Sequence, residues 1–188
     1  MKRDPDYGPL AVLIGTWEGD KGMDIAPEED GSNEENPYYE TITFSEGGNL
    51  TNAKVQTLNV VSYHQVVTRK STDEVFHDEV GYWLWDADRK TIIRSFTIPR
   101  AVAVVAGGSY DASKEVDGEV TLSVAAEMGS DSWDIAQAPY MKEMAKTTSF
   151  ESKFVIKGDT MHFYEKSMLE IYGKTFEHTD ENELKRVK

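Results

Sequence analysis

Alternation with a period of two residues runs through most of this chain and limits what it can fold into more than any other feature. YYETITF (Tyr38 to Phe44) alternates apolar and polar positions, and LNVVSYHQVVTRK (Leu58 to Lys70) is long and β-branched. VFHDEVGYWLWDADRKTIIRSFTI (Val75 to Ile98) reads as two strands joined by a turn at Asp86-Ala87-Asp88-Arg89. RAVAVVAGGSYD, GEVTLSVAAEM and TTSFESKFVIKGDTMHFYEKSML continue the run, the last as a hairpin about Lys157-Gly158-Asp159. Successive side chains of a strand point to opposite faces, so each segment buries one face and wets the other. About ten such strands with mostly short turns predict an antiparallel meander. Closing it removes every exposed edge and leaves an interior large enough for one ligand. The expected fold is all-β: one closed or nearly closed antiparallel barrel domain spanning residues 1–188.

Two segments depart from the strand pattern. YGPLAVLIG predicts a short N-terminal helical turn that plugs one barrel end. DSWDIAQAPYMKEMAK has an Asp131/Ser132 cap and a ragged apolar face, so it predicts a helix that Pro139 kinks or splits. APEEDGSNEENP (Ala26 to Pro37) is a loop by composition, and its carboxylates lack the order of a calcium-binding loop.

The formal net charge of −14 argues against a nucleic-acid partner, because phosphate binding needs Lys and Arg to displace counterions. It equally disfavours docking on anionic membrane surfaces, and no apolar run reaches the roughly 18 residues that span a bilayer. Solubility is the plain reading of such charge, a basic partner for the acidic loop the alternative. The absence of cysteine excludes disulfides, thiolate metal sites and cysteine nucleophiles. With no signal peptide in the opening residues, the expected compartment is the cytoplasm. No Ser-His-Asp order, phosphate-cradling glycine loop or acid/base carboxylate pair stands out.

GTWEGDKG places Gly15, Trp17 and Gly19 at the start of the first strand, where the indole closes a barrel floor and the glycines let the strand bend. Together with PLAVLIGTWEG, the stretches FHDEVGYWL, PRAVAVVAGGSYD and TSFESKFVIKGDTMHFYEKSM follow one another as in the nitrobindin family, which the chain resembles over most of its length. These are haem-binding barrels that look like fatty-acid-binding proteins. In the family a methionine ends the penultimate strand pair and the axial haem histidine follows ten positions later; here Met168 and His178 stand at that spacing. The resemblance implies haem b held by His178 as the axial iron ligand, with His77 on the distal side. It also implies NO binding and conversion of peroxynitrite to nitrate, so enzymatic activity depends on haem being bound. Against the family pattern, LEIYGKTFE replaces its threonines and Pro-Leu turn, Thr179 replaces a leucine, and segments 24–37 and 129–146 look like insertions.

The residues themselves leave alternatives open. Phe176, His178 and Asp180 share one strand face, so Phe176 can pack beside a macrocycle, or His178 can be a structural histidine bonded to a carboxylate at the barrel mouth. His77 shares a face with Glu79, Gly81 and Trp83, and a buried Glu79 needs a partner. His64 and His162 read as surface or rim residues. Met128, Met141, Met144, Met161 and Met168 suit an adaptable apolar lining. Gly107 and Gly108 mark a bulge or a close approach to the backbone. The competing function is a carrier of a fatty acid or other apolar ligand without haem, with Arg94 or Arg100 anchoring a carboxylate. Either way the partner is a small molecule in the barrel interior, and a homodimer is compatible with both.

Overall fold

The computed structural model describes residues 5–188. A 3-10 turn at Gly8–Leu13 leads into β1 (Gly15–Pro27), β2 (Asn33–Asn52), β3 (Gln56–Arg69), β4 (Val75–Asp86), β5 (Thr91–Ile98) and β6 (Val102–Ser109). β7 (Glu119–Glu127), β8 (Ile135–Gln137), α1 (Pro139–Met144), β9 (Ala145–Lys157), β10 (Thr160–Ile171) and β11 (Lys174–Arg186) follow. The sheet runs β5-β4-β3-β2-β1-β11-β10-β9-β7-β6, and pairing of β6 back to β5 closes these ten strands into a barrel. Every ladder is antiparallel, and β1 pairs with both β2 and β11, so the two ends of the chain lie side by side at Trp17↔Arg186.

One seam is thin. β6 and β7 share a single paired position, Gly107↔Ala125. Beyond it β8 pairs with β6 from Val102↔Gln137 to Val104↔Ile135, filling the gap as the strands diverge. The glycines make this possible: a Cβ at Gly107 would overlap the Trp133 indole, and one at Gly108 would overlap the Ser123 carbonyl. Gln137 then clamps the filler to β9, donating to the Thr147 carbonyl and accepting from the Thr147 N–H, both at 2.8 Å.

The inward positions divide the barrel into two ends. At one end Leu10 and Leu13 of the 3-10 turn, Trp17, Trp83, Phe154 and Met161 are buried together, and the expected plug is there. Trp17 donates from Nε1 to the Leu13 carbonyl at 2.7 Å, while the Arg186 guanidinium stacks 4.1 Å from its ring centre. Gly15 and Gly19 flank it, Gly15 against the Lys188 carbonyl and Gly19 against Asn182. The other end is polar and hollow.

Two local expectations are corrected. Residues 24–37 are mostly strand, with only 28–32 forming the connection, because Asp24 and Asn36 point inward and bond each other despite their poor strand propensity. The 131–146 stretch is not one helix. Ile135–Gln137 is strand, and the helix begins at Pro139, whose missing N–H and fixed φ suit a first helical position.

Candidate functional site

Inside the polar end lies a cavity of about 340 Å³, at the lower edge of the range for small-molecule sites. Its two walls differ. Phe96, Ile98, Val102, Val104, Phe150 and Leu169 line the apolar wall, mostly from β5, β6, β9 and β10, with Met141 of α1 beside them. Asp24, Asn36, His77, Glu79, His178 and Asp180 line the polar wall, from β1, β2, β4 and β11. A two-residue turn at Tyr172-Gly173, both with positive φ, joins β10 to β11 and sets Tyr172 at the cavity edge.

Behind Glu79 and Glu165, which line the cavity, lies Arg94, which is wholly buried. It donates from Nη2 to Glu79 at 2.7 Å, from Nε to the Tyr63 hydroxyl at 2.9 Å and from Nη1 to Ser152 at 3.0 Å, and it pairs with Glu165. Burial alone would raise the pKa of Glu79, but the Arg94 charge and the His77 contact hold it below the usual carboxylate value. Beside this cluster Glu40 accepts from Gln65 at 2.7 Å and from Asn182 at 2.8 Å. With no cation against it, burial pushes Glu40 up to about 8.

His178 faces the cavity, as the shared strand face with Asp180 requires. Its Nε2 is 2.6 Å from Asp24 Oδ1, and Asn36 holds the other Asp24 oxygen at 2.9 Å. Nδ1 of the same ring has no hydrogen bond among the described residues, and Asp180 Oδ2 lies 3.8 Å from it. Burial would lower the His178 pKa, yet the Asp24 bond and the neighbouring negative charges leave it raised. Asp24 moves the other way: burial would raise it, and His178 and Asn36 bring it below normal.

His77 lines the same polar wall as His178, near enough for the two rings' charges to act on each other, and lies 3.6 Å from Glu79, the partner that its strand neighbour suggested. Neither Met168 nor Phe176 lines the cavity. Met168 sits at a register shift between β9 and β10, with Ser167 and Leu169 beside it in the lining, and Phe176 lies next to the β10–β11 turn. Among the remaining histidines, His64 is exposed beside Asp78 and His162 beside Glu183, as expected of surface residues. The Asp24 clamp on His178 was missed because 24–37 read as loop; its signal is the alternation of Met23-Asp24-Ile25. Arg94 is buried as the carrier reading asks, but Glu79 and Glu165 already occupy it. Arg100, at the rim, has no ion-pair partner among the described residues.

The model of the THAP4-like, heme-binding beta-barrel domain matches residues 6–186. The chain belongs to this family. The match covers nearly the whole barrel, so the nitrobindin-like resemblance holds, and haem is the family's cofactor. No curated protein sequence matches. Among solved structures, the crystal structure of Rv2717c from M. tuberculosis superposes with a TM-score of 0.73 at 18% identity, covering 97% of this chain and 100% of that one. At that identity the likeness speaks for the barrel fold alone.

The residues present fit the family's cofactor. A metal-binding histidine commonly donates its second ring N–H to a carboxylate that fixes tautomer and orientation, and Asp24 does this to His178. An apolar wall stands where a macrocycle needs one, and Arg100 offers a cation at the rim for an acidic substituent. The carboxylates around His178 are the one feature haem does not call for. No helix among the described residues is long and apolar enough to cross a membrane.

Proposed function

We propose that this barrel holds haem b through His178 and that its activity is NO binding and the conversion of peroxynitrite to nitrate. The observation that carries the reading is the Asp24–His178 pair: one ring nitrogen clamped by a buried carboxylate, the other without a hydrogen bond, at the edge of a cavity with an apolar wall. Ferric haem, when bound, supplies the iron at which NO or peroxynitrite reacts.

The chain's own residues have three tasks. Asp24 fixes the imidazole and strengthens its donor nitrogen. Phe96, Phe150 and their neighbours exclude water from one side of the cavity. His77, 3.6 Å from Glu79 on the same polar wall, offers a hydrogen-bond donor to an anionic ligand.

A ferric haem titration followed by absorbance tests this. Saturation near one equivalent, with a Soret shift lost in His178→Ala, is the expected result and justifies a stopped-flow peroxynitrite assay. A wild-type protein with no saturable shift would sink it.

A further inference from the structure

We propose that Asp24, His178 and Asp180 form a site for one divalent transition-metal ion, taken directly by the protein without a porphyrin. Asp24 on β1 and Asp180 on β11 are cross-strand partners, and His178 stands two residues from Asp180 on the same face. One ligand atom from each side chain lies within 4.8 Å of the others. Asp24 is buried and held from behind by Asn36, so it cannot turn away from the group it faces.

The local charges point the same way. Two carboxylates brought together at a partly sheltered site repel unless something positive lies between them. Arg94, the cation buried in the barrel, is committed to Glu79 and Glu165. Arg69 is paired with Glu34 at 3.4 Å, and His77 is engaged by Glu79. The Asp180 side chain has no hydrogen-bond partner among the described residues, its nearest charged neighbour being His178 Nδ1 at 3.8 Å. The cluster thus has two carboxylates and a single imidazole in contact with them, while Arg69 and His77 act on it only from a distance, each with a carboxylate of its own.

One imidazole nitrogen and two carboxylate oxygens suit a borderline divalent ion such as Zn²⁺, Co²⁺ or Fe²⁺. Ligand atoms about 2.0–2.2 Å from such an ion stand roughly 3–3.5 Å apart. Rotation of the unbonded Asp180 side chain supplies the contraction, while the 2.6 Å contact between His178 Nε2 and Asp24 Oδ1 opens to about 3 Å to admit the ion. The ion replaces the proton on the imidazole and leaves further coordination positions open to the cavity. Haem iron and a bare ion require the same histidine, so the two occupants exclude each other.

Cobalt chloride added to the haem-free full chain at about pH 7.5 tests this, read by visible d–d absorbance and calorimetry. The expected result is one equivalent bound, with affinity falling at least about tenfold in Asp180→Asn and in Asp24→Asn, whose circular dichroism matches the parent. No saturable binding, or unchanged affinity in Asp180→Asn, would overturn the inference, the latter placing cobalt at the surface His64–Asp78 or His162–Glu183 pairs. A haem titration of the same preparation separates the two ideas. Haem without cobalt defeats the ion site alone, and cobalt without haem defeats the proposed function alone.

Discussion

Arg94 Nη2 sits 2.7 Å from Glu79 Oε1 at the centre of the barrel, with both side chains out of contact with solvent. The pair lies between the apolar plug end and the cavity, and with Glu165 it ties β5 to β4 and β10. Arg94→Met leaves Glu79 and Glu165 without their cation. Breaking a buried pair by removing one partner costs about 3–5 kcal/mol. Urea denaturation should show a loss of that order. Adding Glu79→Gln to the same chain should recover part of it, because one uncompensated charge is then gone.

Glu40 gives a pH dependence of definite sign. Its folded pKa, about 8, lies above the unfolded value near 4.5. Between those values the folded chain holds a proton that the unfolded chain has released, so unfolding free energy falls as pH rises. The slope approaches at most about 1.4 kcal/mol per pH unit for one group. Stability measured from pH about 5 to about 8 should therefore fall more steeply in the wild type than in Glu40→Gln. Parallel slopes would show that Glu40 titrates normally.

Asp24→Asn keeps shape and removes the charge behind His178. Loss of such an outer carboxylate commonly weakens metal affinity by about 10–100-fold. Ferric haem affinity should drop by that factor while one-equivalent stoichiometry remains. An unchanged affinity would mean that Asp24 does not orient the axial imidazole.

Gly107→Ala should displace Trp133 from the β6 edge, because the added methyl overlaps the indole. Overpacking of this kind costs about 1–3 kcal/mol. A shift in tryptophan fluorescence should accompany the stability loss, with the barrel's circular dichroism retained.

The barrel was legible in the sequence because its code is local. Alternation in Tyr38–Phe44 or Val75–Asp86 states which face is buried, and Trp17 with its glycines states where a closed end lies. What escaped is what depends on partners distant in sequence. Asp24 and Asn36 look like loop residues until β11 brings His178 across to them. Glu79 announced that it needed a partner, but only closure of the sheet shows that Arg94 answers it from the next strand. Met168 lies outside the cavity lining although Lys166, Ser167 and Leu169 are all in it, at a point where the β9–β10 register shifts, which no local pattern announces.

The seam between β6 and β7 has one paired position where its neighbours have many. A cylinder stitched so unevenly owes its closure at this seam to a three-residue patch and one glutamine side chain, so that Gln137 carries a duty that elsewhere in the wall belongs to the backbone.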